Sequence, residues 1–542
     1  MHFNIADLYE SVTDVVPDRT ALVSGSARFT FAELDTRANR LAHALADRGL
    51  KAGQHLGLYL YNGEEYMIAM LAAFKLRAVP INVNYRYVAE ELKYLVHDGD
   101  LTMLFAESDL AGEVSGALAE KTPVTTVVWT EAGNSGRPAP AIAGVETGWF
   151  RDFAAHDNGG RDFEERSDDD LYIVYTGGTT GMPKGVMWRQ ADIFYAGLQG
   201  GRPGDDPVSH PSEVAAHIAA GNTSPTCISP AAPLIHGAAQ FASWIALMTG
   251  GKVVLTPGRS FDATLTLESI SREAVGVLNL VGDAMARPFA EMLEANPGKY
   301  DLSNLYVVTS AGAVLSEHVK QKLKKLLPYT MILNNFGASE TGHQGTALDT
   351  GEGGPVKFFM LGDNTAVLDE DMQPIAPGDP RIGKLARTGH IPLGYYKAPE
   401  KTAATFVHDK EGRRWVIPGD FATIDEEGII TLLGRGAVCI NTGGEKVFPE
   451  EVEEALKGHP AIYDAVVVGV ADPRWGERVT ALLKVRDGVT VTPDEVIAHC
   501  RTKVAGYKVP RDVWFVESME RHPSGKPDYR WAKTTAAALA AG

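Results

Sequence analysis

Residues 171–185 read Leu171-Tyr-Ile-Val-Tyr-Thr-Gly-Gly-Thr-Thr-Gly-Met-Pro-Lys-Gly185. The apolar beginning predicts a buried β-strand, and the glycines and threonines that follow can present backbone amides and hydroxyl donors to phosphate oxygens. Lys184 adds a positive charge. A P-loop NTPase has its lysine directly between a glycine and a Ser or Thr, whereas Pro183 precedes Lys184 and Gly185 follows it. The stretch therefore predicts a phosphate loop of another kind, which we favour over a flexible surface turn.

The sequence around this loop has the pattern of an α/β protein with parallel sheets. Thr30 and Glu33 have the spacing of a capping box, Leu34, Leu41 and Leu45 follow on one helical face, and Gly49 can end this helix in a left-handed conformation. Period and composition predict strands at His55–Leu60, Ala78–Asn82, Leu171–Tyr175, Val253–Thr256, Val277–Val281 and Leu305–Thr309, and helices at Glu64–Leu76 and Ala89–Val96. We expect mostly loop at Glu131–Asp169 and irregular structure at Pro203–Pro230.

The pattern of predicted helices and strands changes after Arg435. Helices are predicted at Glu450–Leu456 and Pro493–Thr502, and strands at Ala465–Val470 and Val479–Val485, which is enough for a small α+β domain. We therefore divide the chain into an N-terminal domain of residues 1–434, a hinge of residues 435–437 and a C-terminal domain of residues 438–542.

The composition limits the functions that the protein can have. With 542 residues, 44% of them hydrophobic, we expect more than one folding unit. The formal net charge of −18 argues against a general nucleic-acid or anionic-membrane binder. Cys227, Cys439 and Cys500 lie far apart and give neither a disulfide nor a zinc pattern. We see no signal-peptide pattern, and the longest apolar stretch, near Ala238–Met248, is too short to span a bilayer, so we expect a cytoplasmic protein.

The loop Tyr175–Gly185 resembles the phosphate loop YTSGTTGxPKG of the adenylate-forming superfamily, which includes acyl-CoA synthetases, luciferases and peptide-synthetase adenylation domains. The resemblance continues in the same motif order from about Ile5 to about Arg530. It implies a large N-terminal domain of parallel-rich sheets flanked by helices, with a β-barrel-like part, and a small mobile α+β C-terminal domain. Three positions depart from the family pattern: Gly177 replaces a serine, Pro418 a threonine, and Ala437 the usual lysine or aspartate of the hinge.

The resemblance also implies the residues of an ATP site. The expected ATP contacts are Thr176, Gly177, Gly178, Thr179, Thr180, Gly181 and Lys184 in the phosphate loop, Gly312 and Ala313 in the adenine-side loop Ser310–Leu315, Asn335, Phe336, Gly337 and Ser339 in the segment Asn334–Thr341, and Asp420 with Arg435 at the ribose. Phe336 is expected to stack on the purine and Ser339 to bond the α-phosphate. Glu340 is expected to hold Mg²⁺, which commonly binds through one or two carboxylates and nucleotide phosphates.

Other residues are implied for the acyl and coenzyme A sites. His236, in Pro233-Leu-Ile-His-Gly237, matches a histidine beside the acyl site. Gly443, Gly444 and Lys446 match a loop that meets the pantetheine arm of coenzyme A, and Lys526 matches a lysine that reaches into the first-step site. We therefore predict Lys526, Lys184, Thr176 and His236 as catalytic residues. Without the other motifs, His236 would be as well explained as a packed core histidine and Lys526 as a solvated lysine.

Together, these motif resemblances imply an ATP-dependent acid:CoA ligase that forms an acyl-adenylate and then an acyl-CoA. Mg²⁺, Lys184 and Lys526 would neutralise the two anions that must meet. The segments His236–Trp244, Asn279–Met285 and Ala311–Leu315 are rich in small and apolar residues, which favours a hydrophobic acid. The Met187-Trp188-Arg189 variation and the segment Pro203–Pro230 resemble actinobacterial synthetases for long-chain or steroid side-chain carboxylates.

Three alternatives remain open at this point. A fatty acyl-AMP ligase would pass the acyl group to a carrier protein, but such relatives carry an insertion that we do not find here. A peptide-synthetase adenylation domain would place an aspartate near the start of the acyl pocket, where His236–Gln240 has none. A non-catalytic relative would have kept the fold and lost the reaction. The expected partners are small molecules, and the resemblance allows a homodimer and a peripheral membrane contact.

Overall fold

A computed structural model of the chain describes residues 1–131, 136–176, 182–313, 315–347, 357–359, 364–442, 445–472, 475–522 and 526–541. Its helices are α1 Ile5–Val15, α2 Phe31–Asp47, α3 Glu64–Lys75, α4 Ala89–Asp98, α5 Ala111–Ala117, α6 Phe150–Phe153, α7 Gln190–Ala196, α8 Ser212–Ala219, α9 Gly237–Met248, α10 Ala263–Glu273, α11 Gly282–Ala295, α12 Glu317–Leu326, α13 Pro399–Thr405, α14 Pro449–Lys457, α15 Pro493–Arg501 and α16 Tyr529–Ala541. Short 3-10 turns lie at Ser108–Leu110, Gln199–Gly201, Gly436–Val438 and Gly506–Lys508.

The strands are β1 Thr20–Ser24, β2 Ala27–Thr30, β3 His55–Tyr59, β4 Val79–Asn82, β5 Leu101–Glu107, β6 Thr126–Thr130, β7 Glu146–Trp149, β8 Leu171–Thr176, β9 Lys184–Arg189, β10 Cys227–Pro230, β11 Lys252–Leu255, β12 Val277–Leu280, β13 Val307–Ser310, β14 Met331–Ala338, β15 Gly342–Thr346, β16 Lys357–Phe359, β17 Thr365–Leu368, β18 Gly383–Arg387, β19 Gly394–Tyr395, β20 Phe406–His408, β21 Arg414–Val416, β22 Asp420–Ile424, β23 Ile429–Arg435, β24 Ile440–Thr442, β25 Glu445–Val447, β26 Ile462–Asp472, β27 Gly476–Val485 and β28 Asp512–Phe515.

Two large sheets build the N-terminal part of the chain. One has the strand order β15-β14-β13-β12-β10-β11-β1-β2, and the other has the order β19-β9-β8-β4-β3-β5-β6-β7. Inner strands pair in parallel in both sheets. Antiparallel strands lie at both edges of the first sheet and at the β19–β9 edge of the second, whose other edge strand, β7, is parallel. Helices pack against them, and one continuous apolar core joins both sheets. The predicted parallel-rich α/β architecture is confirmed.

The β-rich part that follows is an antiparallel sheet with the path β16-β23-β22-β18-β21-β20, with β17 on β18. Along the described residues this path is open and does not close into a barrel. The last part of the chain has its own sheet, β25-β24-β27-β26 with β28 beside β27. A separate apolar core lies under it, formed by residues between Ile440 and Val513. The chain therefore ends in a smaller α+β unit, as expected.

The helix predicted after Thr30 forms as α2, with the Thr30 hydroxyl accepting from Glu33 N and the Glu33 carboxylate accepting from Thr30 N. Gly49 lies just beyond it at φ +88°. The prediction of irregular structure at Pro203–Pro230 was wrong in two places. Helix α8 lies inside this segment, and β10 is an inner strand of the first sheet. Among the described residues, no helix is both long and apolar enough to cross a membrane.

Candidate active site

The strand that leads into the phosphate loop is anchored by Asn82. This buried residue ends β4, which pairs in parallel with β8. Its Oδ1 accepts a hydrogen bond from Tyr175 N at 2.7 Å, and its Nδ2 donates to Tyr175 O at 2.8 Å and to Ile235 O at 2.6 Å. Because Ile235 directly precedes His236, one amide side chain links the end of β8 to the segment that carries His236. Thr176 ends β8, and the predicted contacts Gly177, Gly178, Thr179, Thr180 and Gly181 lie outside the described residues.

Lys184 begins β9, on the far side of the loop. Its Nζ donates to Tyr94 Oη at 2.8 Å and to Asp98 Oδ1 at 3.3 Å. The hydrogen bond to Tyr94 and the nearby carboxylate of Asp98 raise the pKa of Lys184. The ammonium therefore stays charged at neutral pH, as a phosphate contact requires.

Glu340 lies beside the strand that begins at Lys184. Tyr395 Oη donates to Glu340 Oε1 at 2.8 Å, and Tyr395 pairs with Val186 across the β19–β9 ladder. Trp188 Nε1, on the same strand, donates to Ser339 O at 2.9 Å. The structure thus brings the predicted metal ligand close to the strand that closes the phosphate loop. A carboxylate at this place fits Mg²⁺, which prefers oxygen ligands and shares its coordination with nucleotide phosphates.

Phe336 lies in the β14–β15 hairpin, where its ring stacks on Phe358 with 5.1 Å between centroids and 20° between planes. One face of Phe336 is therefore already covered by protein, so a purine would have to stack on the other face. The neighbouring Asn335 accepts a hydrogen bond through Oδ1 from Thr346 Oγ1 at 2.9 Å. Phe358 was not predicted from the sequence.

The same hairpin requires glycine at two positions. A Cβ on Gly337 would lie 2.1 Å from Gly342 O, and Gly342 itself has φ +64° with Ala196 O against it. Buried Arg387 holds this hairpin in place. Its Nη1 donates to Thr341 O at 2.6 Å and also to His343 O. These contacts fix the backbone that follows Glu340.

The predicted ribose pair is brought together by strand pairing. Buried Asp420 begins β22 and lies opposite Arg435, the last residue of β23. Gly436 N donates to Gly419 O at 3.1 Å, which extends the pairing by one step. The side chain of Arg435 lies outside the description, so its contact with a ribose stays a prediction.

A cavity of about 320 Å³ opens at the carboxyl ends of strands from both large sheets. In α/β proteins, ligands bind in crevices at this edge. Several residues that line the cavity come directly after β10 and β12 of the first sheet and after β4 of the second. The lining includes Asn62, Pro233, Val281, Met285, Arg521 and His522. Apolar and polar groups are mixed in it. The last two residues come from the C-terminal unit, so both parts of the chain form this cavity.

The segment that carries Lys526 is folded against this cavity. Arg521 Nη2 donates to Asp464 Oδ1 at 2.6 Å, and a bridge joins Arg521 to Pro527. His522 N donates to Lys526 O at 2.8 Å. Lys526 is therefore paired through its backbone with His522, which lines the cavity. The catalytic role of Lys526 stays a prediction.

His236 is the N-cap residue of α9, and a buried polar network holds the residues around it. Tyr172 Oη donates to Gln240 Oε1 at 2.5 Å, and Gln240 Nε2 donates to Leu234 O at 2.7 Å. Asn62, which lines the cavity, accepts from Leu234 N at 2.7 Å. The backbone before His236 is thus fixed by Asn62 from a distant segment and by Gln240 from the adjoining helix α9.

The structure describes only some of the remaining predicted contacts. Gly312 and Ala313 follow β13, and Gly312 has φ +82° in an exposed turn. Gly443 and Gly444 lie outside the described residues, and for Lys446 only the backbone of β25 is described. Sequence reasoning missed Asn82, Tyr94, Asp98 and Tyr395, which hold the predicted residues in place. The signal for Asn82 was a polar side chain at the carboxyl end of a parallel strand.

Comparison with protein families gives two matches. The description of the first is AMP-binding enzyme, at residues 9–396, and that of the second is AMP-binding enzyme C-terminal domain, at residues 451–526. Among curated proteins, the chain is 46% identical over 544 residues to a 3-oxocholest-4-en-26-oate–CoA ligase of Rhodococcus rhodochrous, covering 98% of this chain and 96% of that protein. It is also 46% identical over 545 residues to a medium/long-chain-fatty-acid–CoA/3-oxocholest-4-en-26-oate–CoA ligase of Mycolicibacterium smegmatis, with the same coverage.

Solved structures share the fold along the whole chain. The anthranilate CoA ligase AuaEII in complex with anthranoyl-AMP superposes with a TM-score of 0.82 at 21% identity, covering 100% of this chain and 98% of that one. ATP-bound MatB from Rhodopseudomonas palustris superposes with a TM-score of 0.80 at 25% identity, covering 99% and 100%. Both parts of the chain therefore have counterparts in solved proteins.

Proposed function

The chain belongs to the family of AMP-binding enzymes, and on this premise we propose that it is an ATP-dependent acid:CoA ligase with a hydrophobic carboxylic acid as substrate. The observation that carries the proposal is the 46% identity, over 98% of the chain, to ligases that join steroid or fatty acids to coenzyme A. The phosphate-loop strand, Lys184, Glu340 and the cavity at the carboxyl strand ends support it.

In the first step, an oxygen of the substrate carboxylate attacks the α-phosphorus of ATP and pyrophosphate leaves. Both reactants are anionic, so their approach needs positive charge that is already in place. We assign this role to Lys184 at the phosphate loop and to Lys526, whose backbone pairs with His522 beside the cavity. Glu340 would hold Mg²⁺, which would supply further neutralisation of the phosphates. Asp420 would bind the ribose hydroxyls and Phe336 would stack on the adenine.

In the second step, the thiol of coenzyme A attacks the acyl carbon and AMP leaves with the bridging oxygen. No side-chain nucleophile is required for either step. We propose that residues 435–437 act as the hinge about which residues 438–542 rotate between the steps, with the dihedral freedom supplied by Gly436. The rotation would bring Gly443, Gly444 and Lys446 to the pantetheine arm.

The acid is proposed to be a long-chain fatty acid or a steroid side-chain carboxylate. Such acids are named in the curated relatives, of which the chain covers nearly the full length. The segments around His236 and Met285 are rich in small and apolar residues, which suits a large hydrophobic body better than acetate or an amino acid. Dependence on Mg²⁺, a homodimer and a cytoplasmic location stay predictions from the resemblance.

The test is release of AMP and pyrophosphate with Mg·ATP over a panel of acids from acetate through palmitate to a cholestenoate, each with and without coenzyme A. We expect AMP and acyl-CoA to form with the large hydrophobic acids when coenzyme A is present. An acyl-adenylate that accumulates and does not react with coenzyme A would instead indicate a fatty acyl-AMP ligase. No product with any acid would favour the non-catalytic relative.

The variant Lys526→Ala should lose the first step by at least about a hundredfold, because it removes a positive charge from the reacting anions. Lys533→Ala is the matched control. Lys533 lies on α16 of the same unit, is 61% exposed and pairs with Glu477 at 3.1 Å. It should retain wild-type rates. Equal rates for Lys526→Ala and the control would contradict the role of Lys526.

A further inference from the structure

Both ends of the phosphate loop contact one face of α4. Tyr94 and Asp98 are four residues apart on this helix, so their side chains lie on the same face. Tyr94 Oη donates to Pro183 O at 3.3 Å, at the end of the loop. Asp98 Oδ2 accepts from Tyr175 Oη at 3.0 Å, just before its beginning. The two side chains thus hold together backbone segments that the loop separates.

The same two side chains hold the ammonium of Lys184. Its Nζ lies 2.8 Å from Tyr94 Oη and 3.3 Å from Asp98 Oδ1. The side chain of Asp98 is only 13% exposed, so little water competes for its oxygens. An ammonium has three N–H donors. With two of them directed at α4, the third has a fixed direction, and a phosphate oxygen can accept from it.

The protonation states suit this arrangement. The hydrogen bond to Tyr94 and the charge of Asp98 raise the pKa of Lys184, so the amine stays a cation. Burial, followed by the charge of Asp98, raises the pKa of Tyr175, so its hydroxyl stays a donor. At neutral pH, Asp98 can therefore accept from Tyr175 and Lys184 at once, one bond to each oxygen.

We propose that Tyr94 and Asp98 are positioning residues for nucleotide binding, which close the base of the phosphate loop and aim Lys184 at the phosphates of ATP. The inference rests on the proposed function, because it takes Lys184 to be a phosphate contact. Tyr94 and Asp98 act through Lys184 and the loop and do not themselves touch the nucleotide.

The test measures the affinity of the full-length protein for Mg·ATP by calorimetry, without acid or coenzyme A, for wild type, Tyr94→Phe and Asp98→Asn. Each change removes one group that orients a charged donor, so each should weaken ATP binding about tenfold. In the ligase assay, KM for ATP should rise while KM for the acid does not change. Asp100→Asn is the matched control: Asp100 follows the same helix and binds Lys397 at 2.6 Å. This control should bind ATP as wild type does.

A second measurement separates positioning from a general loss of structure. In a Lys184→Ala background, Asp98→Asn should weaken ATP binding by less than about twofold further, because the ammonium that Asp98 orients is gone and the amide oxygen of asparagine can still accept from Tyr175 Oη. A further tenfold loss in that background, or unchanged ATP affinity in both single variants, would overturn the proposal. Wild type that binds Mg·ATP but forms no acyl-CoA would count against the proposed function alone, since nucleotide affinity decides the role of Tyr94 and Asp98.

Discussion

Replacing Asn82 with alanine removes the side chain that holds the end of the phosphate-loop strand. Three hydrogen bonds are lost, one from Tyr175 N and two to the carbonyls of Tyr175 and Ile235. At about 1 kcal/mol for each bond, the variant should lose about 3 kcal/mol of stability. For a cooperative unit of about 400 residues, with an unfolding entropy of about 2 cal/mol/K per residue, this corresponds to a fall in Tm of about 4 °C.

The assay is thermal unfolding in parallel with kcat/KM for ATP. Because Asn82 fixes both the entrance to the loop and the backbone before His236, we expect kcat/KM to fall at least about tenfold, even well below Tm. Asn84→Ala is the matched control. Its Oδ1 accepts from Arg86 N at 3.1 Å in the exposed turn after β4, so its loss should cost less than about 1 kcal/mol. Equal effects of the two variants on Tm and on kcat/KM would refute the anchoring role of Asn82.

Two further predictions concern a buried acid and the contact between the two parts of the chain. Burial, with the charge of Glu64 second, raises the pKa of Glu65 from 4.5 to about 7, so stability that is fully present below pH 4.5 is lost as the pH rises through about 7. Glu65→Gln should therefore stabilise the protein by on the order of 3 kcal/mol above pH 7 and raise its Tm there, with little effect at pH 4.5. A pH-independent difference in Tm from wild type would contradict this. The guanidinium of Arg287 on α11 lies 4.4 Å from the ring centroid of Tyr463 on β26, so Tyr463→Leu should weaken the contact that places Arg521, His522 and the nearby Lys526 at the cavity. We expect acid-dependent pyrophosphate exchange to slow about threefold or more, with exposed Tyr507→Leu as the control, and an unchanged exchange rate would show that this contact does not support the first step.

Much of the fold could be predicted because local sequence signals and tertiary packing agree. The strand Leu171–Tyr175 is apolar over its whole length, as a buried parallel strand should be, and it forms as β8. The helix after Thr30 has both its capping box and its apolar face, and it begins at Phe31. Predicted and observed boundaries differ by one to three residues where helix and strand ends lack such signals, as at the starts of β26 and β27.

The segment Pro203–Pro230 shows where local reasoning fails. Strand β10 has the sequence Cys227-Ile-Ser-Pro230, in which one strongly apolar residue lies between polar and proline positions. Its place inside the sheet comes from pairing with β11 and β12, which follow later in the chain. Helix α8 has no side-chain hydrogen bond at its N-cap. Neither element carries a strong signal of its own, so tertiary contacts decide both.

The residues of the candidate site could be predicted from their motifs, but the contacts that hold them in place could not. Lys184, Glu340 and Asp420 were identified from their motifs, and their chemical roles stay predictions. Their supports could not be read from the sequence, because the partners lie far apart along the chain. Asn82 is 93 residues from Tyr175, and Glu340 is 55 residues from Tyr395. Only the fold shows which distant polar residue holds each predicted one.

An acyl-adenylate is the proposed intermediate of the reaction. The most direct test uses a hydrophobic acid labelled with ¹⁸O in its carboxylate, converted by the protein with ATP and coenzyme A. If a carboxylate oxygen attacks the α-phosphorus, one labelled oxygen must leave in AMP when the thiol displaces it. We therefore predict ¹⁸O in AMP and none in pyrophosphate. Formation of ADP with ¹⁸O in inorganic phosphate would mean attack at the γ-phosphorus and would exclude an acyl-adenylate.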